Sequence, residues 1–247
     1  MTNMAEYVTN VVWRQHNLLG VWPARSEIEL GKVGVIKRRT FEHETQLEDL
    51  GVSYHAKGEP GTSYWVASSQ NAFAVEGEAA ADAGTIGLPS GHVAGRLRAL
   101  RRGAVLLQAD NVRAHRIDDL AAVGTRIAEL DARAAWHNDW RLVTYAMVAE
   151  RLNVLVAERS GAEVAVSVEA SVLPAPELLE AGSARVGIEF STARGFEFSE
   201  TLDGPVTVAF RAARLKRGRL TSTGRNGRLA PPAGAELELA GWDDDED

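Results

Sequence analysis

The sequence predicts an α+β fold built on a twisted, mostly antiparallel sheet with a few surrounding helices. The first observation behind this prediction is strict alternation: in segment 162–172, Ala and Val occupy every second position, opposite Glu, Ser and Ala. Segment 184–190 alternates in the same way. Such period-two alternation is typical of a sheet with one buried and one solvated face. The second observation is an amphipathic helix over 117–134, whose apolar residues recur every three or four positions.

The elements before this helix follow from apolar spacing and from turn residues. Apolar side chains at helical steps predict a short helix over 4–17. A helical turn is predicted over 45–50 and closes at Gly51. A long loop is predicted over 77–91, where the residues are small and almost uncharged. Strands are predicted over 27–38, over 62–76 with a turn at 68–71, over 92–101 and over 103–115.

The chain after the helix is rich in strands. A short helix is predicted at Pro174–Leu179, because proline is tolerated at the first helical position. The sequence has no internal repeat, and we expect the whole pattern to form a single domain. Strands are predicted over 139–149, 152–158, 162–172, 184–191, 194–199 and 205–215.

Length and composition exclude several classes of protein. The chain has 247 residues, is 45% apolar and contains no cysteine. A packed core is therefore possible, whereas disulfides, thiolate catalysis, cysteine-bound zinc, iron–sulfur clusters and palmitoyl anchors are excluded. No apolar run approaches the roughly 20 residues of a spanning helix, and the N-terminus lacks the features of a signal peptide. By hydropathy we expect a soluble protein. The absence of cysteine fits intracellular residence, although a cysteine-free chain would also tolerate an oxidising compartment.

The charge is unevenly distributed along the chain. The net charge of −7 equals the sum over residues 229–247, which carry seven acids and no cation, so residues 1–228 are neutral in sum. Segment 205–235 holds cations and no acid. Two interpretations remain open: the acidic end is a solvated tail, or it lies back on a basic surface.

The search for chemistry finds no catalytic pattern. The six histidines form no close metal-ligand pair, and no phosphate-binding glycine loop or nucleophile elbow is present. The carboxylates sit in exposed alternation, and none stands out as an acid–base pair. We therefore expect no metal, no cofactor and no enzymatic activity.

A predicted basic hairpin is the remaining candidate surface. Its net-acidic context and its lack of interleaved aromatic residues argue against nucleic acid. Anionic lipid headgroups fit better, and a solvated sheet face is an equal alternative. The lipid-headgroup candidates are Arg96, Arg98, Arg101 and Arg102, with Arg113 and Arg116 completing the hairpin.

Taken in order, these elements resemble bacterial gasdermins, a family of pore-forming proteins. The opening helix followed by GVWPARSEI at 20–28 looks like the family's N-terminal helix and proline-containing strand. Segment 98–117, leading into the central helix, is similar to the family's strand pair. Segment 139–168 resembles its long strand and hairpin, and PVTVAFRAARL at 205–215 resembles its closing strand. The likeness spans roughly residues 5–215.

The resemblance implies a fold like the gasdermin N-terminal domain and a definite function. It implies a pore-forming domain over 1–215, a cleavable linker over 216–228 and an acidic inhibitory peptide over 229–247. The resemblance also implies a soluble, cytoplasmic monomer that the peptide holds closed. A partner protease would remove the peptide, and the body would then form a large homo-oligomeric β-barrel pore in the phospholipid of the inner membrane and kill an infected cell. The family's lipidated N-terminal cysteine is absent here, so closure would rest on the tail alone.

Individual residues carry these expectations. The cleavage candidates are Arg219, Arg225 and Arg228, and the apolar anchors of the tail are Leu229, Leu237, Leu239 and Trp242. The membrane-strand candidates are Val164, Val166, Val168, Val186, Ile188 and Phe190. An alternative hypothesis needs no pore: the same sheet and tail would serve as a non-catalytic interaction module in a defence or signalling complex.

Overall fold

The computed structural model describes residues 4–77, 92–169, 186–216 and 218–222. Two helices lie in these ranges, α1 at Met4–His16 and α2 at Leu120–Ala132. The strands are β1 Leu19–Gly20, β2 Lys32–Lys37, β3 Thr40–Gln46, β4 Ala56–Ser68, β5 Phe73–Gly77, β6 His92–Ala99, β7 Val105–Ile117, β8 Arg141–Ala157, β9 Glu163–Glu169, β10 Val186–Arg194, β11 Phe196–Lys216 and β12 Arg219–Ser222. A mostly antiparallel α+β architecture is thereby confirmed.

The strands form two sheets. The large sheet has the order β1-β11-β8-β2-β3, with β7 also paired to β8, β4 paired to β7, and β12 paired to β11. The small sheet has the order β10-β9-β6-β5, and all three of its pairings are antiparallel. The predicted basic hairpin of segments 92–101 and 103–115 does not form, because β6 lies in the small sheet whereas β7 pairs with β4 and β8 in the large one. The strand pairs β5–β6 and β9–β10 both belong to the small sheet.

The chain divides into two compact units, each built from three separate stretches of the sequence. The first unit contains residues 1–11, 62–112 and 149–206, and the second contains 12–61, 113–148 and 207–247. In the first unit the small sheet packs its apolar face on Val66, Leu106 and Leu155, which come from β4, β7 and β8. Each apolar side chain buried in this way stabilises the fold by about 1.5–3 kcal/mol.

The second unit is organised around α2. Val123 and Ile127 are fully buried on the inner face of this helix and pack with Val33, Leu142 and Leu220. Their spacing of four residues places them on one side of the helix, as the sequence predicts. A further cluster joins Leu19, Ile28, Phe41, Val143 and Phe210, with the Phe41 and Phe210 rings packed edge to face at 5.7 Å.

Two strands are longer than predicted. The sequence predicts a break between 149 and 152 and another between 199 and 205, but β8 and β11 run through these positions. The polar residues there bond across the two strands: Arg151 Nε donates to Asp203 Oδ1 at 2.7 Å, and Thr201 Oγ1 donates to Asn153 Oδ1 at 2.9 Å. The polar residues that interrupt the apolar alternation thus bond to each other, and the pairing of β8 with β11 continues through them.

Two further elements differ from prediction or cannot be compared. Thr45 and Gln46 end strand β3 instead of opening a helical turn, and the turn follows over 47–51. The predicted loop 77–91 lies, apart from Gly77, outside the described residues, and so does the predicted helix Pro174–Leu179.

Candidate functional site

The small sheet has one apolar and one charged face. Leu97, Val164 and Val166 point into the core of the first unit and are at most 3% exposed. The intervening residues point outward, and Glu163 bridges Arg96 (3.6 Å) and Arg98 (3.7 Å) on the neighbouring strand. Arg98 also lies 3.8 Å from Glu76 on β5. These half-exposed ion pairs contribute at most about 1 kcal/mol each, so the apolar face holds the sheet in place.

Each strand of the small sheet continues a strand of the large sheet. β4 leads into β5, β6 into β7, β8 into β9, and β10 into β11. The strands have the same order on both sides of this junction: β4-β7-β8-β11 in the large sheet corresponds to β5-β6-β9-β10 in the small one. The small sheet is therefore a folded-back continuation of four long strands.

Four short breaks separate the two parts. They comprise residues 69–72, 100–104 and 158–162 and the single residue Gly195. Each break contains one residue with a left-handed backbone conformation: Asn71 (φ 49°), Gly103 (φ 70°), Gly161 (φ 79°) and Gly195 (φ 74°). Such residues interrupt the extended conformation of a strand, and their coincidence at all four positions turns the whole sheet at one level.

Gly103 is the most constrained of these residues. A Cβ atom placed on it would lie 2.6 Å from Cε1 of Tyr7, so the tyrosine ring of α1 occupies the space of a side chain. At Gly195 a Cβ atom would lie 3.3 Å from the Cα of Ala162 and 3.1 Å from Nε of Arg159. Close approach as well as positive φ therefore requires glycine at both breaks.

The four breaks are bonded side by side. Ser69 N–H donates to Val105 O at 2.8 Å, Gly103 N–H to Ala157 O at 2.9 Å, and Glu158 N–H to Gly195 O at 3.0 Å. Five fully buried alanines lie within the breaks or directly beside them: Ala72, Ala99, Ala104, Ala157 and Ala162. Small side chains allow the backbones to approach closely here. The four breaks together form one compact row across the sheet, called the hinge line below.

Some of the predicted site residues lie in the small sheet, and others lie outside the described residues. Val164 and Val166 are on the buried face of β9, and the backbone register pairs Val168 with Val186 and Val166 with Ile188 across β9 and β10. Phe190 continues β10. The hairpin is therefore brought together, although its candidate side chains on β10 and Val168 lie beyond what the structure describes. Arg225, Arg228, Leu229, Leu237, Leu239 and Trp242 also lie outside the described residues.

The basic candidates separate into two groups. Arg96 and Arg98 lie on the charged face of β6 and are paired with Glu163 and Glu76. Arg101 and Arg102 lie in the break 100–104 and are exposed. Arg219, a cleavage candidate, opens β12, where its register partner is Lys216 on β11.

Ionisable groups elsewhere show shifts that arise from burial and neighbouring charge. Burial, aided by Glu48, raises the pKa of Tyr54 to about 12, and its hydroxyl donates to Leu30 O at 2.8 Å. Burial also raises the pKa of Tyr145, which lies under the Arg211 guanidinium at 5.3 Å. Both tyrosines belong to the second unit, and neither lies in the small sheet.

Other kinds of site find little support. Within the described ranges no group of three or more His, Cys, Asp or Glu side chains could hold a metal ion. An open groove of about 480 Å³ lies between α2 and the turn at 50–53, and of the cations that line it Arg126 is paired with Glu129 at 2.9 Å. Neither of the described helices combines the length and apolar character that crossing a bilayer demands.

Sequence reasoning missed the hinge line and two of its exposed residues. Leu100 and Ser160 lie in neighbouring breaks, and only the tertiary structure brings them together, with Ser160 Oγ donating to Leu100 O at 2.9 Å. The available signal was the recurrence of a glycine or asparagine at each point where one alternating segment gives way to the next.

Comparison with known proteins gives a structural likeness but no match in sequence. No protein-family model and no curated protein matches the sequence. Among solved structures, the chain is similar to a bacterial gasdermin from Bradyrhizobium tropiciagri, at 16% sequence identity and a TM-score of 0.35. The matched region covers 88% of this chain and 90% of that one.

Proposed function

We propose that this protein is a non-enzymatic pore-former, held closed in the cytoplasm and activated by proteolytic removal of its acidic C-terminal peptide. The observation that carries the proposal is the folded-back small sheet. Four strands already have the neighbours they need, and the four breaks and the packing of the apolar face keep them from continuing their parent strands. Straightening the breaks would lengthen two hairpins without exchanging any pairing partner.

The lengths support this transition. The first hairpin runs from Phe73 to Ala99, which is 27 residues, and the second from Glu163 to Arg194, which is 32 residues. A strand that crosses a bilayer needs about 9–11 residues, so each hairpin has enough residues for two crossings and a turn. Its arms would have to lengthen beyond the 5, 8, 7 and 9 residues of β5, β6, β9 and β10. The hairpins would therefore reach across the hydrocarbon layer while β4, β7, β8 and β11 remained outside it.

The two faces of the small sheet suit such a position. In the closed form the apolar face is covered by Val66, Leu106 and Leu155, and lipid would replace that cover after extension. The charged face, with Glu76, Arg96, Arg98 and Glu163, would line the aqueous pore. A membrane wall requires this division between lipid-facing and water-facing side chains.

The charge distribution supports activation by cleavage. A cut after Arg228 would remove segment 229–247 and its charge of −7, leaving a body that is neutral in sum. Loss of that negative charge reduces repulsion from an anionic membrane. The partners of this process would be an activating protease, membrane phospholipid and further copies of the chain. A pore in the inner membrane would collapse its ion gradients, and the cell would die.

A disulfide lock tests the proposal directly, since the natural chain has no cysteine. The double variant Leu106→Cys/Val166→Cys is designed to tie the small sheet to β7 across the buried cluster that holds both residues, and loss of free thiols on oxidation checks that the bond has formed. We expect the chain truncated after Arg228 to release dye from vesicles of phosphatidylglycerol and phosphatidylethanolamine. The oxidised double variant should release none, and a reductant should restore release.

A matched control lies within the small sheet. Leu97 and Val164 are register partners on β6 and β9, so Leu97→Cys/Val164→Cys forms a bond that moves with the sheet and leaves extension free. Equal release from both oxidised variants would contradict extension of the hairpins. If the truncated natural chain stays monomeric and leaves vesicles intact, the pore itself is excluded and an interaction module becomes the better account.

A further inference from the structure

The three glycines of the hinge line have no intrinsic preference for the bent backbone that they adopt. Gly103, Gly161 and Gly195 have φ angles of 70°, 79° and 74°. Glycine populates negative φ about as readily as positive φ, so each of them would enter an extended strand at little conformational cost. Contacts with neighbouring groups must therefore select the bent form.

Tyr7 makes such a contact at Gly103. A Cβ atom placed on this glycine would lie 2.6 Å from both Cε1 and Cζ of Tyr7 and 3.0 Å from Cε2, so the ring packs directly on the glycine backbone. At Gly161 the nearest atom to such a Cβ, Nη2 of Arg98, is 3.9 Å away. The contact at Gly103 therefore comes from a helix outside the four strands, and it is much tighter than the contact at Gly161.

The position of Tyr7 is set by α1 rather than by the strands. Ala5 and Val8 are both 1% exposed, and a spacing of three residues places them on the same buried face of the helix. Tyr7 precedes Val8 and is half-buried. Tyr7 and Gly103 belong to the same compact unit. Burial of one helix face thus holds the ring against the hinge line.

Hydrogen bonds extend the effect of this contact to the other breaks. The bonds described above join the three later breaks to one another. Leu100 N–H donates to Ala72 O at 2.8 Å and so joins the first break to them. A change in φ at Gly103 reorients the planar peptide groups on either side of it and disturbs this row of bonds. A ring that keeps Gly103 bent therefore helps to keep all four breaks bent.

We propose that Tyr7 is the residue that holds the hinge line closed, and that withdrawal of its ring from Gly103 sets the rate at which the hairpins extend. This role rests on the proposed function, because extension is the step that Tyr7 would control. The role is one of positioning: the ring contacts the bend, and the breaks straighten once the ring has moved.

Hydrogen exchange of backbone amides in the full-length chain tests this role. Tyr7→Ala should speed exchange at Gly103 and Glu158, whose N–H groups bond across the hinge line, by about tenfold, because the ring no longer opposes opening. Amides of the β6–β9 ladder around Leu97 and Val164 should keep their protection, since straightening exchanges no pairing partner. Tyr7→Phe retains the ring atoms that crowd Gly103 and should exchange like the natural chain.

Tyr54 provides the matched control, because it packs in the same way on a glycine of positive φ in the second unit. Gly31 has a φ of 78°, and a Cβ atom on it would lie 2.5 Å from Cε1 of Tyr54. Tyr54→Ala should speed exchange at Gly31 and Leu47, whose N–H groups donate to Val143 O and Gly31 O, and should leave the hinge-line amides unchanged.

Three results would overturn the proposal. The first is hinge-line amides that exchange in Tyr7→Ala as slowly as in the natural chain. The second is equal acceleration of hinge-line and ladder amides, because Tyr7 would then be an ordinary packing residue of the first unit. The third is acceleration of the hinge-line amides in Tyr54→Ala to the same extent as in Tyr7→Ala.

Dye release by the chain truncated after Arg228 separates this role from the pore itself. With the vesicles named above, Tyr7→Ala should raise the initial rate of release about tenfold, whereas Tyr7→Phe and Tyr54→Ala should leave it unchanged. Release at an unchanged rate in Tyr7→Ala rejects control by Tyr7 and keeps the pore. If the truncated natural chain releases no dye, the pore is rejected, and the exchange pattern decides whether Tyr7 holds the hinge line closed.

Discussion

At the scale of single residues, Gly103 is where the closed form is most sensitive to substitution. Gly103→Ala places a Cβ atom 2.6 Å from the Tyr7 ring and also forces a positive φ on an alanine. The φ cost is about 1–2 kcal/mol, and displacement of the ring adds to it. We expect Gly103→Ala to lower the free energy of unfolding by about 2–4 kcal/mol in chemical denaturation.

Gly51 provides the control for this prediction. Its φ of 71° nearly equals that of Gly103, but no atom lies within 4 Å of a Cβ placed there. Gly51→Ala should therefore show the φ cost alone. Tyr7→Ala should recover part of the loss when combined with Gly103→Ala. If Gly103→Ala and Gly51→Ala destabilise the protein equally, the Tyr7 contact contributes nothing.

Tyr54 gives a pH dependence whose sign follows from its environment. Its pKa is raised to about 12 from an ordinary value of 10, so the folded state holds the proton more tightly than the unfolded state. Its contribution to stability is complete below pH 10 and is lost as the pH rises from 10 to 12. Thermal unfolding of the natural chain should show this decline, and Tyr54→Phe should flatten it.

Tyr145→Phe tests whether buried tyrosines, rather than other groups, cause the loss of stability at high pH. The pKa of Tyr145 is raised in the same direction by burial and by Glu59, so this variant should also flatten the decline. The two variants together should flatten it further. A decline unchanged in both variants would mean that other groups govern stability above pH 10.

At the scale of elements, the stability of the small sheet should come mainly from its apolar face. Val164 is 1% exposed on the apolar face of β9, and its neighbour Glu163 bridges Arg96 and Arg98 on the charged face. Val164→Ala should destabilise the protein by about 1–3 kcal/mol, because it leaves a cavity in the core. Glu163→Ala should cost at most about 1 kcal/mol. Chemical denaturation of both variants compares the two losses of unfolding free energy. A larger loss for Glu163→Ala than for Val164→Ala would contradict the prediction.

Elements with a regular apolar period were predictable from the sequence. Both described helices and the alternation of β9 follow directly from residue spacing, because one face of each is buried. The continuity of β8 and β11 was not predictable. Arg151 and Asn153 interrupt the alternation on β8, and only their partners Asp203 and Thr201 on a strand distant in sequence satisfy them.

The candidate site was predictable in part for the same reason. Alternation marks the hairpins, but it does not show that the small sheet folds back on the strands that carry it. That arrangement depends on the contact of Leu97, Val164 and Val166 with Val66, Leu106 and Leu155, which are far apart in sequence. Local patterns determine the faces of a strand, whereas the partner of each face is a property of the tertiary structure.

At the scale of the whole molecule, strand β12 decides which cleavage site leaves the body intact. Arg219 opens β12, and Leu220 is buried in the core around α2, where it approaches Gly124 closely. Cleavage after Arg225 or Arg228 retains this strand, whereas cleavage after Arg219 removes Leu220. We therefore expect trypsin to cut the Arg219–Leu220 bond more slowly than the other two, because β12 is paired to β11 from Lys216 to Ala213.

Truncated chains make the consequence measurable. A chain ending at Ser222 keeps β12 and loses only what the C-terminal peptide contributes to the closed form, so it is the reference for a shorter chain. A chain ending at Gly218 loses the packing of Leu220, a loss of about 2–5 kcal/mol that corresponds to a fall of roughly 4–20 °C in a protein of this size. Leu220→Ala in the full-length chain isolates the packing component and should reproduce much of the fall. Equal unfolding temperatures for the two truncated chains would show that β12 does not contribute to stability. Arg219 would then be as suitable a cleavage site as Arg225 or Arg228.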